Sequence, residues 1–393
     1  MSDMPQDTVA LASKLRRVLA DINAHLVDRE ALTQVLVLAA VAREHLLVLG
    51  PPGTAKSAAI RAVAGALDGT YFEYLLGRFT EPSELFGPVD LRKLREGTVE
   101  TETRGMLPEA EFAFLDEIFL GSTAILNTLL ALLNERRFRR GSTIMQCPLR
   151  VCVAASNHLP EDEALAAFAD RFLVRLYVDG LADSRIEDLL RVGRRFDEIP
   201  RSAERFSLAE LDLLSQAART VDLSAIHAPL GHCVRLLRKA GVMLSDRRIV
   251  KTQNLIAAST VLNGRAVASE ADLWPLVYVI PTAEAQAQAR DVLQKTLVQS
   301  ENSVMAEAVS NASAGPAARA GRIELDAGRL LAQRPAALEA DDPWSLRAEA
   351  LLREIDAGFA AGQVPEALAG LRGRLAEAVA TPSLPTLPVA AEP

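Results

Sequence analysis

Cysteine is scarce in this sequence, because the 393 residues contain only Cys147, Cys152 and Cys233. Their number is odd and their spacing is not that of a metal site, so we expect reduced, structural thiols and no disulfide framework. Long apolar runs are also missing. The longest, residues 35–42, is far shorter than the roughly 20 residues that cross a bilayer as a helix. We therefore expect no transmembrane segment.

An excess of basic residues is absent as well, because the formal net charge at pH 7 is −8. This charge argues against a general affinity for nucleic acid, which usually requires a basic face, although it is compatible with a local basic patch. Residues 1–8 contain two aspartates and no basic segment, so we expect no secretory signal and predict a cytoplasmic protein. The composition, with 49% hydrophobic and 24% charged residues, is typical of a globular chain of two or three domains.

The most informative stretch is Gly50–Ser57, which reads Gly-Pro-Pro-Gly-Thr-Ala-Lys-Ser. It follows the apolar run Leu46–Leu49 and precedes a predicted helix over 58–67, so it lies where a buried strand turns into a helix. This is the context of a phosphate-binding loop, in which backbone N–H groups and the helix dipole bind an anion. The alternative is an ordinary Gly/Pro turn. The candidate nucleotide-binding residues are Gly50, Pro51, Pro52, Gly53, Thr54, Ala55, Lys56, Ser57 and Ala58.

Two side chains of this loop have chemical roles. Lys56 supplies the positive charge that reaches the outer phosphates, and the Ser57 hydroxyl is placed to ligate Mg²⁺. Glycine usually precedes this lysine, but here the position is occupied by Ala55. We expect Ala55 to adopt a negative φ at little cost, while Gly50 and Gly53 keep the positions where the backbone turns most tightly.

A second strong element is the apolar run Phe112–Glu117, which ends in two carboxylates. Ligands bind at the carboxyl ends of the strands in open parallel sheets. Asp116 is therefore predicted to hold the Mg²⁺ shell, and Glu117 to polarise the attacking water. The alternative is an acidic turn after a core strand. Asn157 follows another predicted strand, 150–155, where its amide would bond the γ-phosphate or the water, unless it is only a turn residue.

Several arginines are candidates for contacts between subunits. Arg171 precedes a predicted strand over 173–178, where it would either enter the phosphate site of an adjacent subunit or pair with Asp170. Four arginines follow the predicted helix 122–134, and we favour a neighbouring subunit or solvent over nucleic acid as their environment. These four are Arg136, Arg137, Arg139 and Arg140. Of Arg247 and Arg248, either one points at the nucleotide or both face solvent.

The chain divides by pattern into an α/β domain over 1–180, with a lead-in helix over 9–26, and a wholly helical lid over 181–280. Within the first domain, 89–107 is either a β-hairpin or a long surface loop, and 138–149 is a hairpin that turns at 140–142. Beyond the lid we expect a helix over 283–299 and a flexible linker over 300–342. Two short amphipathic helices over 344–380 and a disordered tail over 381–393 then complete the chain.

Seven motifs, in this order, resemble those of the MoxR family of AAA+ ATPases, and most closely its RavA-type branch. They are GPPGTAKS at 50–57, RFTEPSELFGP at 78–88, GMLPEAEFAFLDEI at 105–118, ILNTLLALLNERRFRRG at 125–141, AASN at 154–157, DRF at 170–172 and SDRR at 245–248. The resemblance covers about residues 20–280. It implies a P-loop AAA+ domain with a parallel sheet and β-hairpin inserts, namely a helix-2 insert over 89–107 and a pre-sensor hairpin over 138–150. A helical lid follows.

The resemblance also implies roles for individual residues. Asn157 would be sensor 1, Arg171 the arginine finger acting on a neighbouring subunit, with Arg136 as the alternate, and Arg247 sensor 2, with Arg248 as the alternate. The implied function is Mg²⁺-dependent ATP hydrolysis by a homo-oligomeric ring, usually a hexamer. The ring would remodel a protein client together with a von Willebrand factor A (VWA) domain partner.

Three alternatives share the same nucleotide chemistry. They are a nucleic-acid motor, the motor subunit of a metal chelatase, and a nucleotide-gated scaffold with little turnover. A nucleic-acid motor needs basic tips on its pore hairpins, but segment 89–107 carries charges of both signs. Nucleic acid is therefore the less favoured partner.

Overall fold

Apolar residues fill both faces of a parallel five-stranded sheet whose strand order is β2-β3-β6-β1-β7. The computed structural model describes residues 4–193, 204–313, 316–335, 342–358 and 366–380. The strands of the sheet are β1 (Leu46–Leu49), β2 (Tyr71–Leu75), β3 (Phe112–Asp116), β6 (Val151–Ser156) and β7 (Val174–Tyr177). Two further strands, β4 (Arg137–Arg140) and β5 (Thr143–Gln146), form a separate antiparallel pair.

Helices surround the sheet and continue after it. Those that precede β7 are α1 (Gln6–Asn23), α2 (Glu30–Ala42), α3 (Lys56–Ala66), α4 (Pro82–Phe86), α5 (Leu91–Arg95), α6 (Thr123–Glu135) and α7 (Glu163–Ala169). Those that follow are α8 (Ile186–Gly193), α9 (Leu208–Arg219), α10 (His227–Lys239), α11 (Asp246–Leu262), α12 (Ala283–Val292), α13 (Gln294–Leu297), α14 (Ala306–Ser313), α15 (Pro316–Ala332), α16 (Pro343–Gly358) and α17 (Glu366–Ala380). Short 3₁₀ helices include Ile118–Leu120 and Trp274–Val279.

Strand β1 separates two apolar clusters, since successive side chains of a strand point to opposite faces. Leu46 and Val48 pack in a cluster that includes residues of α2, α3 and α11. Leu47 and Leu49 pack in a second cluster, which includes α6 and α4. All four side chains are buried, as expected for a parallel strand covered on both faces. The predicted α/β sandwich is confirmed, and it fixes the carboxyl end of β1 as the start of the phosphate loop.

The segment predicted as a β-hairpin or a surface loop over 89–107 contains a short helix instead of a hairpin. The Asp90 carboxylate accepts hydrogen bonds from the N–H groups of Arg92 and Lys93 and so caps α5. One isolated bridge, Val89 to Thr101, closes the segment. The N–H of Asp90 donates to the carbonyl of Glu100 at 2.8 Å, and the N–H of Glu102 donates to the carbonyl of Pro88 at 2.9 Å. Pairing is confined to this bridge, and the N-cap of α5 satisfies the next backbone donors locally. By contrast, the predicted hairpin over 138–149 is present as β4–β5.

The region after β7 contains no β-strand among its described residues, in agreement with the predicted helical lid. Two capping boxes form in this region, one between Ser207 and Glu210 and the other between Ser269 and Asp272. The helix predicted over 283–299 is divided at Leu293 into α12 and α13.

The flexible linker predicted over 300–342 is wrong over much of its length, because α14 and α15 occupy it. Helix α14 is fixed by tertiary contacts. The backbone N–H of Ala308 donates to Oε1 of Gln34 in α2 at 2.8 Å, and Met305 and Ala308 are fully buried. The Ala-rich composition that suggested a linker is also favourable for helix formation, and packing supplies the remaining stability.

Contacts divide the chain into two compact units. Residues to Gly180 form one unit with Val192–Ser313, and Leu181–Arg191 form the second with the described residues beyond Ala314. In the second unit, α15, α16 and α17 share an apolar cluster that contains Leu330 and Leu351. The two helices predicted within 344–380 are therefore confirmed. The predicted disordered tail, 381–393, lies outside the described residues.

The remaining predictions from composition concern thiols and membrane segments. All three cysteines are buried free thiols. Cys152 lies within strand β6 and not beside it. Within the described ranges, no helix is long and apolar enough to cross a membrane.

Candidate functional site

The loop between β1 and α3 has a backbone that only glycine permits at its first position. A Cβ atom on Gly50 would lie 2.0 Å from the carbonyl oxygen of Val178. The same residue donates its N–H to the carbonyl of Ser156 at 3.2 Å. The first residue of the loop therefore lies between the ends of β6 and β7. Gly53 has φ +77° with open space around it, which is a conformational and not a steric requirement for glycine. The two glycines therefore keep the turning positions that the sequence predicts.

Ala55 contradicts the sequence-based expectation, because its φ is +56°. We predicted a negative φ, but Ala55 is the N-cap of α3 and adopts the left-handed conformation that a glycine would normally supply. A left-handed alanine costs about 1–2 kcal/mol, so the loop holds a strained residue immediately before its lysine.

Lys56 lies at the centre of the loop and is 7% exposed. Its ammonium donates to the carbonyls of Gly50 and Pro51 at 2.9 and 2.8 Å. Burial lowers its pKa, and the nearby negative charges of Asp116 and Glu117 oppose this shift. The lysine of the loop therefore lies near the two carboxylates that end β3.

The sheet order explains why these groups meet. Strand β6 pairs with β1 on one side and β3 on the other, so the loop after β1, the carboxylates after β3 and the amide after β6 share one edge. The Nδ2 atom of Asn157 donates to Oε1 of Glu117 at 3.2 Å. Glu117 itself has φ +49°, a left-handed conformation that is uncommon for a non-glycine residue and typical of functional sites.

The donor set at this edge suits Mg²⁺ bound together with phosphates. Ser57 offers a hydroxyl in the first turn of α3, and Asp116 offers a carboxylate whose Oδ1 accepts the N–H of Glu117 at 3.0 Å. Mg²⁺ is usually held by one or two protein oxygens, with substrate phosphates and waters completing its shell. The residues predicted as ligands fit that pattern. Among the described residues, no group of three or more His, Cys, Asp or Glu side chains is suited to hold a metal without such additional ligands.

Sequence reasoning missed Arg29, whose guanidinium holds the phosphate loop by a hydrogen bond to its backbone. Its Nε donates to the carbonyl of Thr54 at 2.7 Å and its Nη2 to the carbonyl of Asp179 at 3.2 Å. The side chain is buried, and this burial lowers the pKa of its guanidinium. The only signal in the sequence was an acidic-basic pair, Asp28-Arg29, at a helix start. That pattern is typical of many solvent-exposed helix ends.

Arg171 is not paired with Asp170, which excludes the salt bridge considered as its alternative role. Asp170 instead forms an ion pair with Arg248 at 2.6 Å. Within the part of the chain that the structure describes, no side chain pairs with the guanidinium of Arg171, and its Nε is buried without a hydrogen-bond partner. Arg171 lines a cavity of about 570 Å³ between α6 and α7.

The alternate finger, Arg136, is engaged inside its own chain. Its guanidinium donates to the carbonyl of Arg43 at 2.8 Å and lies 2.9 Å from Nε2 of His45. Burial lowers the pKa of Arg136 to about 10. A side chain with these internal contacts is a structural element. Of the other arginines in the cluster, Arg140 donates to the carbonyl of Gly87, whereas Arg137 and Arg139 are exposed.

Arg247 and Arg248 differ sharply in environment. Arg248 is 2% exposed and donates to the carbonyls of Phe172, Leu173 and Val279. Arg247 is accessible and donates to Oδ1 of Asn134 at 2.8 Å. Asn134 lies near the C-terminal end of α6, where the carbonyl of Leu133 contacts His45, the residue just before β1. Arg247 is thus brought to the amino end of β1, and the structure does not bring it to the phosphate loop at the other end.

Two family models match the chain. Residues 13–216 match a family described as the "MoxR domain in the MoxR-vWA-beta-propeller ternary systems". Residues 223–293 match a family described as an AAA lid domain. The first match covers more than half of the chain and ends in the helical region, and the second covers α10, α11 and α12.

Individual relatives agree with these models. An uncharacterised protein of Methanocaldococcus jannaschii is 37% identical over 267 residues, which is 68% of this chain and 70% of that protein. A protein named chaperone MoxR1 from Mycobacterium tuberculosis is 26% identical over 42% of this chain and 44% of its own length. The crystal structure of a candidate ATPase from Cytophaga hutchinsonii aligns with a TM-score of 0.61 at 17% identity. That alignment covers 76% of this chain and 97% of the other, so it supports the fold. The chain belongs to the MoxR family of AAA+ ATPases.

Proposed function

We propose that this protein hydrolyses Mg²⁺-bound ATP at the edge formed by the phosphate loop, Asp116, Glu117 and Asn157. The observation that carries the proposal is the hydrogen bond of 3.2 Å between Nδ2 of Asn157 and Oε1 of Glu117. In addition, the negative charges of Asp116 and Glu117 act on Lys56 of the phosphate loop. In this proposal Glu117 is the base, and Asn157 is the amide that helps to orient the attacking water. The glycines and the helix start provide the phosphate cradle.

Catalysis at such a site depends mainly on positioning and charge. Lys56 would transfer its ammonium from the carbonyls of Gly50 and Pro51 to the phosphate oxygens, which carry a full negative charge. Glu117 would accept the proton of the attacking water, while Asn157 holds the carboxylate in place. Mg²⁺, held by Ser57 and Asp116 with the nucleotide, would neutralise charge on the phosphates. The protein's own contribution is thus a rigid, preorganised set of donors.

We further propose that the site is shared between subunits of a ring, with a hexamer as the expected form. Arg171 supports this assignment because its guanidinium has no side-chain partner among the described residues, although it lies beside a cavity at the surface. An arginine of this kind can stabilise transition-state charge in a neighbouring site. Arg247 is our proposed sensor 2. Since it lies at the amino end of β1, the nucleotide that it would sense is that of a neighbouring subunit.

The biological role that we propose is chaperone-like remodelling of a protein client with a VWA-domain partner. Two findings support it: the family description names MoxR–vWA–beta-propeller systems, and one relative is named a chaperone. A β-propeller protein is the second partner suggested by that description. The RavA-type branch and the cytoplasmic location stay predictions. No observation favours the nucleic-acid motor, the chelatase subunit or the scaffold.

A dilution series tests the shared site. We expect specific ATPase activity to rise with protein concentration, and Arg171→Ala to inhibit wild-type protein in mixtures more than its share of the subunits. Arg219→Ala, which removes an exposed lid arginine, is the matched control and should dilute the activity without inhibiting it. Activity per subunit that is independent of concentration, together with an inert Arg171→Ala, would contradict the ring proposal.

A further inference from the structure

Phe79 is the large apolar side chain with the highest exposure among the described residues, at 96%. It lies on the turn Gly77–Thr80, which follows β2. Two hydrogen bonds close this turn: the N–H of Gly77 donates to Oγ1 of Thr80 at 2.8 Å, and the N–H of Thr80 donates to the carbonyl of Gly77 at 3.1 Å. Phe79 is therefore presented on a defined turn. Single exposed apolar side chains are common on protein surfaces, but an aromatic ring held on a fixed turn offers a large contact area to a partner.

The position of this turn relates it to the nucleotide site. The N–H of Leu76 donates to the carbonyl of Asp116 at 2.9 Å, so the chain leaves β2 next to the proposed Mg²⁺ ligand. The helix that follows, α4, begins with a capping box between Glu81 and Glu84, which fixes the other side of the turn. Phe79 thus projects from the same edge of the sheet as the phosphate loop and the catalytic carboxylates.

The same unit has a groove that suits such a ring, which begins just after Glu117, at Phe119 and Gly121, and includes Arg171. The cavity of about 570 Å³ between α6 and α7 has Arg171 in its lining, and we call it the α6–α7 groove. Its apolar wall consists of Phe119, Leu126, Leu130, Leu165 and Phe168. Asp162, at the start of α7, is an exposed acidic group in the same lining, whereas Arg78 precedes Phe79 on the turn. The two surfaces therefore match in both apolar character and charge.

We propose that Phe79 of one copy of this chain docks into the α6–α7 groove of the next copy. This inference rests on the proposed function, in which Arg171 reaches the neighbouring nucleotide. If it does, the groove that contains Arg171 faces the neighbour's phosphate-loop edge, and Phe79 is part of that edge. Such a contact joins two different patches, so it is heterologous and generates a ring when the rotation closes. Phe79 would then be an anchor that aligns the shared site.

Cysteine cross-linking tests the contact directly, because the three native cysteines are buried. Arg78→Cys keeps the Phe79 ring, and Ala167→Cys replaces a small exposed residue of the groove. With Mg²⁺ and a non-hydrolysable ATP analogue, a mixture of the two variants should form inter-chain cross-links. Adding Phe79→Ala to the Arg78→Cys chain should greatly reduce the yield. The control pair, Arg78→Cys with Met243→Cys, places the second thiol on an exposed lid residue and should give none.

Activity measurements supply the second readout. Phe79→Ala should raise the concentration that gives half-maximal specific activity by about tenfold or more, as expected for losing a buried aromatic contact. Phe79→Tyr should stay near wild type. Val298→Ala, which removes another exposed apolar side chain, at 77% exposure, is the matched control and should change nothing.

The outcomes separate the two proposals. If Arg171→Ala inhibits mixtures but the Arg78→Cys and Ala167→Cys chains do not cross-link, or if Phe79→Ala assembles like wild type, the docking contact is overturned and the shared site stands. If wild-type activity does not depend on concentration and Arg171→Ala is inert, both are overturned.

Discussion

The side-chain amide of Asn157 and the carboxylate of Glu117 lie 3.2 Å apart, Nδ2 to Oε1, although 40 residues separate them in the chain. The contact exists because β6 pairs directly with β3, in the register Leu115 opposite Ala154, so the residues that follow the two strands emerge side by side. The amide donates to the carboxylate and orients it. This contact ties the proposed base to the strand next to the phosphate loop.

The strained alanine of the phosphate loop gives the first prediction. Ala55→Gly should relieve the left-handed backbone at φ +56° and stabilise the protein by about 0.5–1 kcal/mol, because the relief exceeds the entropy that glycine adds to the unfolded chain. Thermal unfolding measures it. Ala66→Gly, at the helical end of α3, is the control and should destabilise. An Ala55→Gly protein less stable than wild type would contradict the assigned backbone.

Arg29 gives the second prediction. Arg29→Ala leaves the carbonyls of Thr54 and Asp179 without their guanidinium donor, which should lower the free energy of unfolding by about 2 kcal/mol. The dissociation constant for ATP should rise, because the phosphate loop loses the hydrogen bond from Arg29 to the carbonyl of Thr54. Arg17→Ala is the control, since its ion pair with Glu204 is exposed and exposed ion pairs contribute little to stability. Equal changes in the free energy of unfolding and in the dissociation constant for ATP in the two variants would argue against a role of Arg29 in holding the phosphate loop.

The third prediction concerns the two adjacent arginines of α11. Arg248→Ala removes a buried partner of Asp170 and of three carbonyls, so it should destabilise the protein by about 3 kcal/mol. Arg247→Ala should leave unfolding nearly unchanged and should lower ATPase activity in the assembled state. Denaturant titration and steady-state kinetics together distinguish the two roles. If Arg247→Ala destabilised the protein and Arg248→Ala lowered only the ATPase activity, the assignments of the two arginines would be exchanged.

His45 gives a prediction about pH. Its Nδ1 accepts the N–H of Cys152 at 3.0 Å, so the neutral ring carries its proton on Nε2, which donates to the carbonyl of Leu133. Burial, and then the charge of Arg136, hold the pKa of His45 well below its usual value of 6.5. The unfolded chain thus binds a proton below about pH 6.5 that the folded protein does not.

The contribution of the neutral His45 to the free energy of unfolding is therefore complete above about pH 6.5. Below that pH the free energy of unfolding decreases, by at most about 1.4 kcal/mol per pH unit. His45→Gln, which keeps an acceptor and a donor, should reduce the loss of stability between pH 7.5 and pH 5.5. His232→Gln is the control, since His232 lies at an exposed position of α10. The same pH dependence in His45→Gln as in wild type would count against a neutral buried ring.

Much of the site could be predicted from the sequence because its chemistry depends on residues next to strand ends. Gly50, Lys56, Asp116, Glu117 and Asn157 each follow an apolar run, and the parallel sheet brings such positions to one edge. The sequence could not reveal that Ala55 is left-handed, because local propensity favours the opposite, and only the geometry of the loop forces it. Arg29 was missed because its partners are backbone carbonyls, which leave no pattern in side-chain identity.

The errors outside the site have a similar cause. The linker predicted over 300–342 contains few large apolar residues, but small ones suffice where α14 contacts α2, as the buried Ala308 shows. The segment predicted as a hairpin or a surface loop over 89–107 contains a capped helix, because the carboxylate of Asp90 accepts the first N–H donors of α5. In both places a tertiary or capping contact decides between structures that composition alone leaves close in free energy.

The measurement that tests the central claim most directly is ATP binding and ATP hydrolysis by Glu117→Gln. We expect the affinity for Mg²⁺-bound ATP, measured by calorimetry, to stay within about threefold of wild type, because glutamine keeps the shape of the side chain. Turnover should fall by at least about 100-fold, since the general base is lost. Glu135→Gln, at an exposed position at the end of α6, should leave both unchanged. If Glu117→Gln hydrolyses ATP at the wild-type rate, the assignment of this edge as the catalytic site is contradicted.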